Sequence, residues 1–180
     1  MAVEIEFRGP LGRNEFRNLL GLLAKRGKFI KKTRRTTFVF HTNDKTLDLK
    51  IRTTDGISEI VLKKGLWGAR KREEIVLPIK ARSVKDAQGF LAFLGYNKGI
   101  IAVRETSVFE YKSIELSLVK CPKNCYFFEA EFIENRLTKN PEEHIRRVLK
   151  SLGLEVWSEK EFCDFLEWGN EKIDRHFIIN

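Results

Sequence analysis

With only three cysteines in 180 residues, an odd number, and no secretory features, the chain offers no basis for a disulfide framework. Cys121, Cys125 and Cys163 are therefore expected as reduced thiols. Cys121-Pro122-Lys123-Asn124-Cys125 has the form of half a zinc site. Neither Cys163 nor the scattered His41, His144 and His176 supplies a second half at zinc-like spacing. No histidine is placed by sequence to act as base for a cysteine nucleophile. No run approaches the ~18 apolar residues of a membrane span. Met1-Ala2-Val3-Glu4 lacks the basic-then-apolar order of a signal peptide, so a cytoplasmic protein that does not engage a membrane is expected. There is no low-complexity segment, internal repeat or Pro/Gly/Ser linker, and residues 1–180 read as a single domain.

What the chain has is charge on an adequate core. Hydrophobic residues make up 42% of it, enough to bury a sizeable interior. The 34 Lys+Arg exceed the 25 Asp+Glu by nine, which favours anionic partners without choosing among nucleic acid, membrane and free phosphates.

Period-two alternation dominates. Val3 to Arg8 sets Glu4, Glu6 and Arg8 against Val3, Ile5 and Phe7. Further β segments are expected over Lys28–His41, Thr46–Thr53, Ser58–Lys64 and Ala69–Ile79, separated by turn chemistry at Thr42-Asn43-Asp44, Thr54-Asp55-Gly56 and Gly65-Leu66-Trp67-Gly68. Three more follow over Ile100–Tyr111, Ser113–Val119 and Tyr126–Asn135. Helical spacing marks Gly12–Gly27, with Asn14 as cap, then Ser83–Leu94, Asn140 to about Leu152, and Ser158–Trp168. Eight β segments joined by short loops predict an α+β fold, a mainly antiparallel barrel or strongly curved sheet with helices packed outside.

The informative feature is which charges share a strand face. Glu4, Glu6 and Arg8 do so on the first strand, Asp48, Lys50 and Arg52 on the third, and Glu59 and Lys63 on the fourth. Arg70, Arg72 and Glu74 follow on the fifth, Arg104 on the sixth, and Glu129 and Glu131 on the last. A half-solvated sheet also shows one charged face. Neighbouring acids in Glu-x-Glu, about 7 Å apart by strand rise, repel unless a cation lies between them, and two such pairs stand near the two ends of the chain. Hard carboxylate oxygens suit Mg²⁺, and arginines grip phosphate bidentately, so the pattern fits metal-assisted phosphoryl transfer in a wet channel. Phe38 and Phe40, opposite the charged positions, are expected in the core rather than stacked on nucleic-acid bases. Trp67 is expected to pack on its own hairpin.

Glu4-Ile5-Glu6-Phe7-Arg8, Leu49-Lys50-Ile51-Arg52, Val61-Leu62-Lys63, Arg72-Glu73-Glu74, Leu94-Gly95-Tyr96 and Phe127-Phe128-Glu129-Ala130-Glu131 together resemble, in order and spacing, the motifs of the CYTH superfamily, the triphosphate tunnel metalloenzymes. The resemblance covers nearly the whole chain. It implies an eight-stranded antiparallel β-barrel, the triphosphate tunnel, with helices outside. It implies Mg²⁺ or Mn²⁺ on Glu4, Glu6, Glu129 and Glu131, with Glu4, Glu6 and Glu131 catalytic, and a triphosphate held by Arg8, Lys50, Arg52, Lys63, Arg72 and Arg104. The expected partner is a triphosphate-containing small molecule or an RNA 5′ end. The expected activity is metal-dependent hydrolysis of inorganic, nucleoside or thiamine triphosphate. The alternatives are a class IV-type adenylyl cyclase and a non-catalytic triphosphate or RNA binder. Three departures stand out: Arg8 occupies a position usually held by lysine, no acid lies at Ser117-Leu118-Val119 where members often carry aspartate, and a late lysine motif survives only as Lys160-Glu161-Phe162.

Overall fold

A computed structural model describes residues 3–65, 71–132 and 140–179, without the side chains of Val3, Glu4, Lys71 and Ala81. The expectations for Trp67, for Arg70, for residues 133–135 and for the Glu4 side chain lie outside the described residues.

The strands are β1 (Val3–Leu11), β2 (Lys28–Phe40), β3 (Leu47–Thr54), β4 (Ile57–Lys64), β5 (Lys71–Ile79), β6 (Lys98–Tyr111), β7 (Ile114–Cys121), β8 (Cys125–Phe132) and β9 (Arg175–Ile178). The helices are α1 (Arg13–Arg26), α2 (Val84–Phe93), α3 (Pro141–Ser151) and α4 (Glu159–Lys172). Caps fix the helix starts. Asn140 accepts the Glu143 N–H at 3.2 Å, and Ser158 forms a reciprocal box with Glu161. At α1 the cap is Gly12, whose N–H donates to Glu15 at 2.6 Å, rather than the expected Asn14; a carboxylate three residues on supplies what glycine lacks.

Among the described residues all strand pairs are antiparallel in one sheet of order β2-β3-β4-β5-β1-β8-β7-β6-β9, and β2 also pairs with β6 from Lys28↔Glu110 to Phe40↔Gly99. That last pairing curls the sheet back on itself around a hollow. Two features correct the expected eight-stranded closed barrel. There is a ninth strand, β9, which pairs with Lys98–Ile101 of the long β6, a stretch beyond the reach of β7. The sheet is also not fully closed at β1. Val3–Ile5 pair with β5 whereas Glu6–Leu11 pair with β8, so among the described residues no part of β1 is bonded to both neighbours. The connection between α3 and α4 takes part of this seam: Trp157 N–H donates to the Arg8 carbonyl at 2.8 Å, and the Glu155 carbonyl lies where a Cβ on Gly9 would be.

The apolar face of each strand points outward, under the helices. Phe7, Leu116, Leu118, Phe128 and Ala130 pack with Leu19 and Leu23 of α1 and Ile145 and Leu149 of α3. Phe40, Leu49 and Ile51 form a second core with Leu91 of α2, and Phe38 packs against it. Phe38 and Phe40 thus lie in the core, as alternation predicts.

The seam gives the first expectation. Gly9→Val forces the Glu155 segment away from β1 and costs on the order of 1–3 kcal/mol, the usual range for inserted methyl groups. Urea unfolding of the two proteins, with equal m-values, measures it; an unchanged midpoint means that the close approach is not limiting.

Candidate functional site

The inward faces enclose a cavity of about 420 Å³, within the usual size of small-ligand sites. Because strand residues two apart share a face, one parity per strand reaches it: Lys31 to Val39 on β2, Asp48 to Thr54 on β3, Arg72 and Glu74 on β5, Glu6 and Arg8 on β1, Glu115 to Val119 on β7. Of the residues expected in the site, Glu6, Arg8, Lys50, Arg52, Lys63, Arg72, Arg104, Glu129 and Glu131 all line it. Phe162, Phe165 and Leu166 of α4 wall part of it.

Strand order sorts the charge. The β2–β5 half of the sheet carries Arg35, Lys50, Arg52, Lys63 and Arg72, with Asp48 and Glu74 between them. Asp48, 5% exposed, accepts from Lys50 at 2.8 Å and from Arg72 at 3.1 Å. Arg52 reaches Glu59 at 2.5 Å and Glu74 at 3.4 Å, and Lys63 is 3.5 Å from Glu74. These acids hold the cations of neighbouring strands in one array. Burial opposes ionisation of Asp48, but the Lys50 ammonium with its hydrogen bond and the Arg72 guanidinium outweigh it and hold the carboxyl below its ordinary range. Burial likewise pushes the Lys50 amine down, against the pull of Asp48.

Arg35, which alternation on β2 would have flagged had Lys31, Thr33 and Arg35 been read as one face, is among the site residues missed in the sequence. Its Nε donates to Thr54 Oγ1 at 2.9 Å, and among the described residues it has no carboxylate within ion-pair distance. Burial and then the neighbouring Arg52 charge pull its pKa down, so the cavity contains an incompletely compensated guanidinium.

The opposite half is acidic. Register sets Glu6 directly across from Glu131, and Glu131 directly across from Glu115, giving three carboxylates in a row over β1, β8 and β7. Ser117 faces Glu129 one step along, so the acid absent at 117–119 is replaced within the cavity by Glu115, two residues earlier. Arg8 pairs with Glu6, lies 3.4 Å from Glu129, and stacks its guanidinium 4.4 Å from the Phe162 ring centroid. Arg104 is bound bidentately by Asp174 at 2.8 and 3.0 Å, which commits it to the end of α4. Lys160 is exposed and pairs with Asp164 outside the cavity, whereas Phe162 of the same motif lines it.

Among the described residues no three acidic, histidine or cysteine side chains converge as a ready-made metal cluster. The donors fit Mg²⁺ or Mn²⁺ nonetheless, because such ions are commonly held by one or two carboxylates, with phosphate and water completing the shell.

The protein PH1012 from Pyrococcus horikoshii OT3 has a similar structure, with TM-score 0.70 and 21% identity over 86% of this chain and 94% of that one. A proposed adenylate cyclase from Vibrio parahaemolyticus matches with TM-score 0.62 and 17% identity, over 89% and 97% of the two chains. HpAC1 from Hippeastrum, a proposed adenylyl cyclase with a dominant triphosphatase activity, matches with TM-score 0.58 and 16% identity, over 92% and 96%. The fold is CYTH-like. No family model matches the sequence, and no curated protein matches it. At these identities the CYTH-like fold is shared while most side chains differ. No helix among the described residues is long and apolar enough to cross a membrane.

The depressed Asp48 carboxyl has a pH consequence. Its folded pKa lies below its unfolded value of about 3.9, so its contribution is complete above that value and is lost as pH falls through the folded pKa. Asp48→Asn strands the Lys50 and Arg72 charges and costs about 3–5 kcal/mol at pH 7. Urea midpoints at pH 7 and pH 3 should therefore differ less for the variant than for the parent. Equal pH dependence in both proteins contradicts this role for Asp48.

Proposed function

We propose that the chain binds a triphosphate in this cavity and hydrolyses it with Mg²⁺ or Mn²⁺. The observation that carries the reading is the basic half of the wall, where Arg35, without a carboxylate in ion-pair distance among the described residues, stands among Lys50, Arg52, Lys63 and Arg72. Five cations aimed inward from four strands suit a ligand carrying about four negative charges, and arginine forks recognise phosphate oxygens bidentately. Asp48 and Glu74 hold those cations in place before the ligand arrives, which lowers the ordering cost of binding. Arg8 and Arg104, already engaged by carboxylates, orient the surrounding wall and reach phosphate only by exchanging partners.

Glu4, Glu6, Glu129 and Glu131, joined by Glu115, are the carboxylates assigned to the cation. A divalent ion held there supplies charge neutralisation and an activated water for in-line attack. The acidic row and the basic wall line one cavity, so a terminal phosphate gripped by Arg35, Arg52 and Arg72 would share it with Glu131 and Glu115, the groups assigned to orient the attacking water. The triphosphatase activity of HpAC1 supports hydrolysis over the cyclase alternative, in which the ribose hydroxyl replaces water. One observation favours a non-catalytic binder as the second reading: Arg8 lies between Glu6 and Glu129, where a cation would otherwise be held.

A panel of tripolyphosphate, ATP, thiamine triphosphate and triphosphorylated RNA with Mg²⁺ or Mn²⁺, scored for phosphate and for cyclic nucleotide, separates these readings. Metal-dependent phosphate release is expected. Glu131→Gln keeps the fold and lowers turnover roughly a hundredfold or more. Arg35→Ala and Arg52→Ala weaken binding of every triphosphate, each by about 1.5–3 kcal/mol, the worth of a charged hydrogen bond. Tight binding without turnover of any member establishes the binder, and cyclic nucleotide as main product establishes the cyclase.

A further inference from the structure

The β7–β8 hairpin reverses over Pro122–Asn124 and sets Cys121 directly opposite Cys125 in the ladder. Directly opposed residues of antiparallel strands have Cα atoms about 4.5–5.5 Å apart. A disulfide spans about 4.4–6.8 Å, so the pair can be bridged with the backbone where it stands. The two side chains are neighbours across the hairpin, and each shifts the acidity of the other. Cys163 is on α4, outside this ladder pair, and the phosphate chemistry proposed above uses none of the three sulfurs.

The two partners are unequal. Cys121 is buried, packed with Val119, Phe127 and Ile173, while Cys125 is only partly buried and is the one an oxidant can reach. The neighbouring sulfur, together with burial, pushes the Cys121 thiol up, and the same pairing draws the Cys125 thiol down. The Arg104 guanidinium favours the thiolate at both. A partly accessible, more acidic thiol beside a buried protonated one is the arrangement of an attacking and a resolving cysteine.

We propose that Cys121 and Cys125 are a reversible dithiol–disulfide pair, oxidised by peroxide. The Cys125 thiolate attacks one peroxide oxygen, the O–O bond breaks, and with one proton the second oxygen leaves as water, giving a sulfenic acid. The Cys121 sulfur then displaces the hydroxyl of that sulfenic acid, its own proton leaving with it as a second water. Two electrons pass from the two sulfurs to one peroxide, and a dithiol reductant reverses the bond. The bond forms where the hairpin meets the end of α4: the Lys123 ammonium donates to the Lys172 carbonyl, Ile173 covers Cys121, and Asp174 holds Arg104. It closes the turn of the hairpin on which the end of α4 packs.

The test treats the full chain with equimolar hydrogen peroxide, blocks remaining thiols with N-ethylmaleimide, and maps tryptic peptides by mass spectrometry. Trypsin can cut after Lys123, so the bond appears as two linked peptides carrying Cys121 and Cys125, lost on treatment with dithiothreitol, while Cys163 is alkylated. Cys163→Ser forms the same link, and Cys121→Ser leaves a dimedone-reactive sulfenic acid on Cys125. The proposal is overturned if folded wild-type protein leaves Cys121 and Cys125 alkylated, if either links to Cys163 instead, or if Cys125 passes to the sulfinic acid without linking. The wild-type map decides the matter even if Cys121→Ser does not fold.

Discussion

Ionisable side chains cannot be sealed into hydrocarbon without partners, and in this chain they fill the inward faces of β1 and β5, cluster on those of β3 and β8, and recur among uncharged residues on β2, β6 and β7. That constraint sets the architecture. The sheet curls so that its charged face encloses a polar hollow and its apolar face turns outward, where α1, α2 and α3 cover it. The hydrophobic cores therefore lie outside the sheet, and the interior is kept open by the charges that line it.

Those charges are arranged as linked pairs. Asp48 lies between Lys50 and Arg72, and Arg52 between Glu59 and Glu74, so cations on β3, β4 and β5 are joined through shared acids. A buried pair adds little net stability, because desolvation offsets attraction, but removing one member leaves a costly lone charge. The network thus fixes geometry more than it adds stability. It supplies a set of oriented cations in which Arg35, held among the described residues by the Thr54 hydroxyl, faces the cavity.

The seam at β1 follows from the same economy of space. Gly9 lets the segment before α4 approach the strand, and that segment delivers α4, whose Phe162 meets Arg8 inside the cavity. α4 adds aromatic surface to a wall rich in charge, and the residues just after it place Ile173 over the cysteine hairpin and Asp174 on Arg104.

Much of this was legible in the chain itself, because alternation is a local property: the parity of Glu6, Lys50, Arg72 or Glu131 decides which face it takes, whatever the strand pairs with. The turn at Asp55-Gly56 was equally plain, both residues having the positive φ that such a dipeptide tolerates. Register was not legible, since a strand's own sequence does not say which residue of a distant strand lies opposite. Only the folded sheet decided that Glu115 completes a row with Glu131 and Glu6, in place of an acid at 117–119. It alone decided that Arg8 and Arg104 already have carboxylate partners while Arg35, among the described residues, does not. It also decided that two cysteines four residues apart become cross-strand neighbours. The sequence by itself determined which side chains share a face; the tertiary structure determined which of them meet, because contact between strands depends on how the chain closes on itself.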